Sequence, residues 1–218
     1  MNTIEIITVH YKTPKTLLNM LKSLEQHENN RYPIRIIDGS GCKYEEVEQY
    51  VTDHENIRIE YFGYNIHHGP GLNYGISSST CKFVLCVDSD MVVLKPVIGR
   101  MLRMIGNNYA VGKMVELNES IVLETRKGTV EKNSYLHPGF MLINRLRYPQ
   151  FYPFIKHGAP CILTMADIHL QKLGHLLIDF PDFKAFIKKE NGGTRQKFGS
   201  CLLGIPHRSI EISPVLNG

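Results

Sequence analysis

The strongest constraint on the fold is the alternation of short apolar runs with amphipathic segments over the first hundred residues. Residues 4–9 are almost continuously apolar and β-branched, which is typical of a strand covered on both faces. Leucines at helical spacing follow over residues 17–24. Thr13 is the expected N-cap of this helix, and Pro14 is its expected first residue. Strands that alternate with helices in this way predict βαβ units and a mainly parallel sheet.

The same patterns locate the remaining elements. A turn at Gly69-Pro70-Gly71 is expected to precede the third helix, and the tail from residue 188 is expected to be a mobile loop. Between residues 109 and 144 three predicted strands follow one another without helices, so a mixed or antiparallel-leaning sheet is predicted there. We predict one α/β domain spanning 1–218, with no linker. Strands are predicted at 33–37, 57–62, 82–87, 109–117, 120–125, 139–144 and 176–180, and helices at 44–53, 72–79, 96–105 and 165–173.

Composition narrows the class of protein. A chain of 218 residues is about 1.5 average domains long and is large enough to form a stable core without disulfides or a structural metal. Its five cysteines contain no C-x-x-C, which fits buried thiols in a reducing compartment, and no apolar run approaches a membrane span. The N-terminus lacks a signal-peptide core, so we expect a soluble, cytoplasmic protein. The net charge of +4 is too mild for a typical nucleic-acid binder, and the basic cluster at 188–197 is interpreted as a solvated face.

Polar residues follow the predicted strands at the edge where open parallel sheets bind ligands. Asp88 and Asp90 directly follow the fourth strand, and in an extended chain residues two apart face the same way. Paired carboxylates at such an edge suit an oxygen-preferring divalent cation, which completes its shell with ligand phosphates. The alternative is that both residues only begin a turn. No H-E-x-x-H and no paired cysteines occur, so no zinc site is predicted.

Two further strand ends leave their roles open. Asp38 could accept a hydrogen bond from a base N–H or a ribose hydroxyl, or it could form an Asx turn. The glycine-rich stretch at 65–75 could direct a helix N-terminus at a phosphate, or it could be only a tight turn. That stretch does not match G-x-G-x-x-G, and the chain has no Walker A sequence, so neither a dinucleotide site nor a P-loop is predicted.

Five segments of the chain, in their order along it, resemble one family. The segment at residues 87–92 looks like a D-x-D motif, and the segment at residues 137–143 looks like the strand that lines the donor-sugar side. Together they resemble the GT-A glycosyltransferases, most closely those of family 2, although His67-His68 stands where that family more often has small or polar residues. The segments are Ile7-Thr8-Val9-His10-Tyr11, Asp38-Gly39-Ser40, Asn65 to Gly75, Val87-Asp88-Ser89-Asp90-Met91-Val92 and His137-Pro138-Gly139-Phe140-Met141-Leu142-Ile143.

This resemblance implies a nucleotide-binding half at 1–95 and a half for the donor sugar and acceptor at 96–218. The backbone around Thr8, Val9, His10 and Tyr11, together with Asp38, would hold the base and ribose. Asp90, helped by Asp88, would bind Mn²⁺ or Mg²⁺ on the diphosphate, where the cation acts as a Lewis acid. The other residues implied in donor binding are Asn65, Asn73, Ser89 and Gly139.

Two later residues are implied with open alternatives. Asp167 lies where the family has the acidic motif whose carboxylate takes the acceptor proton, although Ala166 replaces the first acid. Asp167 could instead only favour a helix N-terminus, with Asp179 and Asp182 as alternative bases. His207 resembles a late histidine that completes metal ligation in some of these enzymes, and it could equally be an ordinary surface residue.

The function implied by the resemblance is metal-dependent transfer of a sugar, with inversion, from a nucleotide-sugar donor to a hydroxyl acceptor. UDP-sugars are the favoured donors. A surface-polysaccharide, glycan or lipid-linked acceptor is expected, with peripheral membrane association and no nucleic-acid partner. Two alternatives remain at this point: a sugar nucleotidyltransferase, and a non-catalytic nucleotide-sugar-binding module on the same fold.

Overall fold

The structure is a computed structural model, and it describes residues 3–116, 123–125, 128–130, 134–155 and 160–191. Within these ranges eleven strands and six α-helices occur. The strands are β1 Ile4–His10, β2 Ile34–Asp38, β3 Ile57–Tyr61, β4 Phe83–Val87, β5 Met91–Val93, β6 Ala110–Glu116, β7 Leu123–Thr125, β8 Gly128–Val130, β9 Ser134–Asn144, β10 Leu177–Asp179 and β11 Ile187–Lys189. The helices are α1 Pro14–Glu28, α2 Glu45–Thr52, α3 His68–Ser78, α4 Ile98–Ile105, α5 Ile162–Leu170 and α6 Phe183–Phe186.

A seven-stranded sheet organises the described part of the chain, in the order β10-β6-β9-β4-β1-β2-β3. Strands β1 to β4 are mutually parallel where they pair, as the βαβ pattern predicts. Strand β9 runs antiparallel between β4 and β6, and β10 is parallel to β6. The prediction of one α/β domain whose second half is mixed is therefore confirmed.

The sheet is buried on both faces, which explains the continuous apolar runs of its central strands. Ile6 on β1 joins a cluster with Leu17 and Leu21 of α1, while the next residue, Ile7, joins a second cluster with Leu72 and Ile76 of α3. Successive strand residues point to opposite faces, so each β1 residue needs an apolar partner on its own side. Helices α1 and α4 therefore cover one face, and α3 and α5 cover the other.

Helix α3 begins earlier than predicted. It starts at His68, so the predicted turn at Gly69-Pro70-Gly71 is wrong, and these residues form the first helical turn. The first N–H groups of a helix have no intrahelical acceptor, so proline is tolerated there. A Cβ on Gly71 would lie 2.8 Å from Val9 Cγ2, which shows that glycine is needed for α3 to pack closely on β1.

The remaining differences from the prediction concern either pairing between distant segments or the end residues of helices and strands. Strand β5 was not predicted, and β11, its antiparallel partner, occupies residues that we expected in a mobile tail. Helix α5 covers 162–170 rather than 165–173. Helix α1 begins at Pro14 as predicted, but the Thr13 side chain makes no capping hydrogen bond. None of the described helices combines the length and apolar character that a membrane span requires.

Candidate active site

The ends of β4 and β9 bring the predicted aspartates to one edge of the sheet. Strand β9 runs antiparallel to β4, so its early residues lie beside the carboxyl end of β4, where the Asp88 N–H donates to the Gly139 carbonyl at 2.8 Å. A Cβ on Gly139 would come within 2.8 Å of Asp88 Oδ2 and 2.6 Å of Met91 Cε. Gly139 therefore leaves the room that the Asp88 carboxylate occupies.

Asp88 and Asp90 lie in a turn rather than in extended chain. The Met91 N–H donates to the Asp88 carbonyl at 3.0 Å, which closes a four-residue turn between β4 and β5. The argument that both side chains face the same way because they are two apart in a strand is therefore wrong. The turn itself was part of the alternative, and it still holds both carboxylates at the carboxyl end of a central strand, so a cation site at these residues stays a prediction.

Within the part of the chain that the structure describes, a basic side chain lies close to each aspartate. His68 Nε2, at the start of α3, lies 3.0 Å from Asp88 Oδ1, and Lys189 Nζ, at the end of β11, lies 3.4 Å from Asp90 Oδ2. Asp90 is only 8% exposed, and within the described residues its Oδ1 atom is buried without a hydrogen-bond partner. A buried carboxylate oxygen without a partner is costly, so this atom is positioned for a ligand that can compensate it.

The two carboxyl groups differ in their electrostatics. Burial raises the pKa of Asp90, and the nearby Asp88 charge raises it further, against the opposing effect of Lys189. Burial would also raise the pKa of Asp88, but the charge and hydrogen bond of His68 outweigh it, with help from His137 and Lys189, and hold that pKa well below its usual range. Asp88 is therefore the more firmly ionised of the pair.

The two histidines beside Asp88 also differ. Burial opposes protonation of His68, but the Asp88 carboxylate dominates and raises its pKa. His137 on β9 has its pKa lowered, first by burial, and Lys189 and His68 add to this against the attraction of Asp88. The His137 Nδ1 atom accepts the Gly139 N–H at 3.1 Å. His137 thus fixes the backbone at Gly139 as a hydrogen-bond acceptor, while the raised pKa of His68 favours the charged form that pairs with Asp88.

A second buried network joins the ends of β1 and β2. His10 Nδ1 lies 2.8 Å from Asp38 Oδ2, and His10 Nε2 accepts the Thr13 N–H at 3.0 Å, so the proton that His10 donates to Asp38 is on Nδ1. The other Asp38 oxygen accepts the Ser40 N–H at 2.6 Å. The Asx turn that the sequence left open for Asp38 is confirmed, and both of its oxygens are engaged within the protein. A contact of Asp38 with a base or ribose stays a prediction.

The roles of the other residues implied in donor binding also stay predictions. Thr8 and Ser89 are buried, whereas Val9 and Tyr11 are half-buried. Asn65 Oδ1 accepts the His67 N–H at 2.9 Å in an Asx turn ahead of α3. Asn73 Oδ1 accepts a hydrogen bond from the Tyr148 hydroxyl at 2.9 Å.

Asp167 lies on α5 with its carboxyl group inside the protein. It is 1% exposed, and its Oδ1 accepts a hydrogen bond from Gln171 Nε2 at 3.0 Å. In this arrangement an acceptor hydroxyl in solvent does not reach it, and its role as the base stays a prediction. His207 lies outside the described residues.

Sequence reasoning did not place His68 and Lys189 beside the two aspartates. His68 belongs to the His67-His68 pair that departs from the family pattern, which was the available signal. The sequence indicates only a solvated basic face for Lys189. Its position depends on the pairing of β11 with β5, which joins residues about a hundred positions apart and so has no local sequence signal. Within the described ranges no group of three or more potential metal ligands occurs.

Comparison with known proteins identifies the family. The family model "Glycosyl transferase family 2" matches residues 5–163. Among solved structures, the chain is similar to residues 1–349 of S. aureus TarS, with a TM-score of 0.60 and 17% identity over 87% of this chain and 60% of that one. It is also similar to PcManGT, a mannosyltransferase from Pyrobaculum calidifontis solved with GDP-Man and Mn²⁺, with a TM-score of 0.56 and 13% identity over 83% and 55% of the two chains.

A third structural relative is the galactosyltransferase LgtC, solved with donor and acceptor sugar analogues, with a TM-score of 0.54 and 16% identity over 80% of this chain and 72% of that one. No curated protein sequence matches this chain. The chain spans about three fifths of the TarS fragment. The structural likenesses show the GT-A fold, and the family model covers most of the chain from β1 into the start of α5. The chain belongs to glycosyl transferase family 2.

Proposed function

We propose that this protein is a metal-dependent glycosyltransferase that moves a sugar from a nucleotide-sugar donor to a hydroxyl acceptor with inversion. The observation that carries the proposal is the Asp88–Asp90 turn at the carboxyl end of β4, where the buried Oδ1 of Asp90 has no hydrogen-bond partner among the described residues. One TarS structure holds UDP-GlcNAc, and the PcManGT structure holds GDP-Man and Mn²⁺. These relatives support a nucleotide-sugar donor, with UDP-sugars as the favoured class.

The residues present fit Mn²⁺ or Mg²⁺. Asp90 offers an oxygen that has no partner among the described residues, and Asp88 offers a carboxylate held in its ionised form. Mg²⁺ in nucleotide sites is commonly held by one or two carboxylates together with substrate phosphates, which this pair matches. When bound, such a cation neutralises charge on the leaving nucleoside diphosphate.

The surrounding elements would hold the rest of the donor. The loop after β1 and the Asx turn after β2 form the neighbouring part of the edge, where the base and ribose would bind. Helix α3 begins at His68, beside Asp88, so its N-terminal N–H groups and dipole favour a phosphate group at this point. The protein thus supplies binding and orientation from three adjacent strand ends.

The acceptor step needs a base that removes the hydroxyl proton as the sugar is inverted. We propose Asp167 for this role, which requires α5 to expose a carboxylate that is now internal. We also propose a glycan or lipid-linked acceptor, because the sequence of the basic tail, which includes Arg195 and Lys197, suits an anionic carrier near a membrane surface. A cytoplasmic location is supported by the free thiols of the described cysteines.

One observation favours a second candidate function, a module that binds the nucleotide-sugar without catalysis. Asp167 is buried, and Ala166 replaces the first acid of the family motif. Such a module would bind the nucleotide with a cation but would release no nucleoside diphosphate with any acceptor.

The test is thermal unfolding of the wild type with UDP, GDP and UDP-sugars, each with and without MnCl₂. A ligand at one hundred times its dissociation constant stabilises by about 2.7 kcal/mol. For a chain of this size that is a rise in midpoint of about 5–11 °C. We expect a cation-dependent rise for one base, lost in Asp90→Asn and kept in Asp53→Asn, an exposed control on α2's C-cap.

Donor turnover then separates the two candidates. Release of nucleoside diphosphate from the bound UDP-sugar class, with an acceptor panel, supports the transferase. Binding without release in a cooperatively folding sample favours the module. No midpoint shift with any nucleotide would contradict both.

A further inference from the structure

Strand β11 lies against the aspartate turn although it comes after the region that the family model matches. In the register with β5, Lys189 pairs with Met91, the residue that follows Asp90. One residue further on, the Glu190 N–H donates to the Asp90 carbonyl at 2.7 Å. Backbone hydrogen bonds therefore fix the Cα of Lys189 beside the proposed cation site, while leaving its side chain free to change rotamer.

The Lys189 ammonium is only loosely held at its present position. It lies 3.4 Å from Asp90 Oδ2, longer than a good charge-assisted hydrogen bond, and its side chain is 54% exposed. Its charge reaches the whole cluster, since it opposes protonation of His68 and His137 and favours ionised Asp88. A half-exposed ammonium weakly held on one carboxylate oxygen costs little to move.

The charges of the site leave a role for the Lys189 ammonium. A divalent cation on Asp88 and Asp90 only balances the two carboxylates, so the negative charge of a bound diphosphate still needs other cations. With a cation held by Asp90, the Lys189 ammonium would lose its anionic partner and would be repelled by the like charge. The phosphates of a bound donor would then be anionic groups with which it could pair.

We propose that Lys189 is a donor-binding residue that leaves Asp90 and binds the diphosphate when the cation occupies the two aspartates. This inference rests on the proposed function. It adds a substrate contact from a strand beyond the family-matched region, and it predicts that Lys189 recognises the phosphates rather than the base. Lys188 provides a matched control, because it is adjacent, equally basic and exposed, and a strand directs neighbouring side chains to opposite faces.

The experiment is calorimetric titration of UDP and of uridine, in MnCl₂, into the wild type, Lys189→Gln, Lys189→Arg and Lys188→Gln. We expect Lys189→Gln to weaken UDP binding by about tenfold, which is about 1.4 kcal/mol. Uridine binding should not change, because uridine has no phosphate. Lys189→Arg should restore most of the UDP affinity, and Lys188→Gln should bind UDP like the wild type.

A second measurement separates a substrate contact from a structural role. Binding of Mn²⁺ alone, followed by electron paramagnetic resonance, should be unchanged or tighter in Lys189→Gln, because the variant removes a cation that competes for Asp90. Weaker Mn²⁺ binding, or equal loss of UDP and uridine, would show that Lys189 only supports the fold. Wild-type UDP affinity in Lys189→Gln would overturn this inference alone, whereas a wild type that binds neither UDP nor GDP would overturn the proposed function itself.

Discussion

Helix α4 starts with a cap that comes from another helix, and this makes the cap a sharp test of the structure. Its N-cap residue is Val97, whose side chain cannot accept a hydrogen bond. Instead Glu28, the last residue of α1, accepts the N–H groups of Val97 and Ile98 through Oε1, at 2.7 and 3.0 Å. Glu28 is only 8% exposed, so water is a poor replacement for its carboxylate.

The change Glu28→Ala leaves two buried N–H donors without their acceptor and removes a negative charge from the positive end of a helix. Each lost hydrogen bond to a charged group contributes about 1.5 kcal/mol or more. We therefore expect a loss of about 3 kcal/mol in the free energy of unfolding, with the melting midpoint about 6–12 °C lower. Glu28→Gln keeps an acceptor without the charge, so its loss should be intermediate.

Urea unfolding followed by circular dichroism measures these differences. The matched control is Glu25→Ala, one turn earlier on α1, where the half-exposed carboxylate contacts Tyr50 and His54 at the surface. Surface pairs contribute about 1 kcal/mol or less, so this variant should stay close to the wild type. If Glu28→Ala were no less stable than Glu25→Ala, the account of the α4 cap would be wrong.

Three further predictions test the packing and the surface. A Cβ on Gly75 would lie 2.7 Å from an isoleucine methyl of β1, so Gly75→Ala should lower stability by about 1–2 kcal/mol. Gly99→Ala should not, because a Cβ there would meet only the flexible Arg103 side chain, at an ordinary contact distance of 3.7 Å. Equal unfolding midpoints for the two variants would refute the tight packing of α3. Of the four described cysteines only Cys42 is exposed, so in a Cys201→Ser background the further change Cys42→Ser should remove the fast-reacting thiol in an assay with a disulfide reagent. An unchanged fast phase would contradict the exposure of Cys42. Burial lowers the pKa of His54, but its backbone hydrogen bond and the Glu25 carboxylate outweigh burial and raise that pKa. The stability that the charged His54 contributes is therefore present below about pH 6.5 and lost as the pH rises through the raised pKa. His54→Gln should lower the free energy of unfolding by less than about 1 kcal/mol at pH 5.5 and not at all at pH 8.5, and equal losses at both pH values would rule the linkage out.

The parallel half of the fold could be predicted because its determinants are local and repeated. The β-branched run of β1 and the spaced leucines of α1 each specify an element by periodicity, and burial on both faces removes the polar alternation of an exposed strand. The sequence also located Asp88 and Asp90, since any strand of a parallel sheet ends at the ligand-binding edge. These inferences need only the order of residues along the chain.

The contacts that only the tertiary structure decided join segments that are far apart in sequence. The His68 contact with Asp88, the pairing of β11 with β5, and the α4 cap from Glu28 join residues 20, about 100 and about 70 positions apart. No periodicity encodes such contacts, because each depends on where the folded elements approach one another. The same holds for the carboxyl groups at the sheet edge. The sequence determined that Asp38 and Asp90 stand there, and only the packing decided that both oxygens of Asp38 are engaged while one oxygen of Asp90 has no hydrogen-bond partner among the described residues.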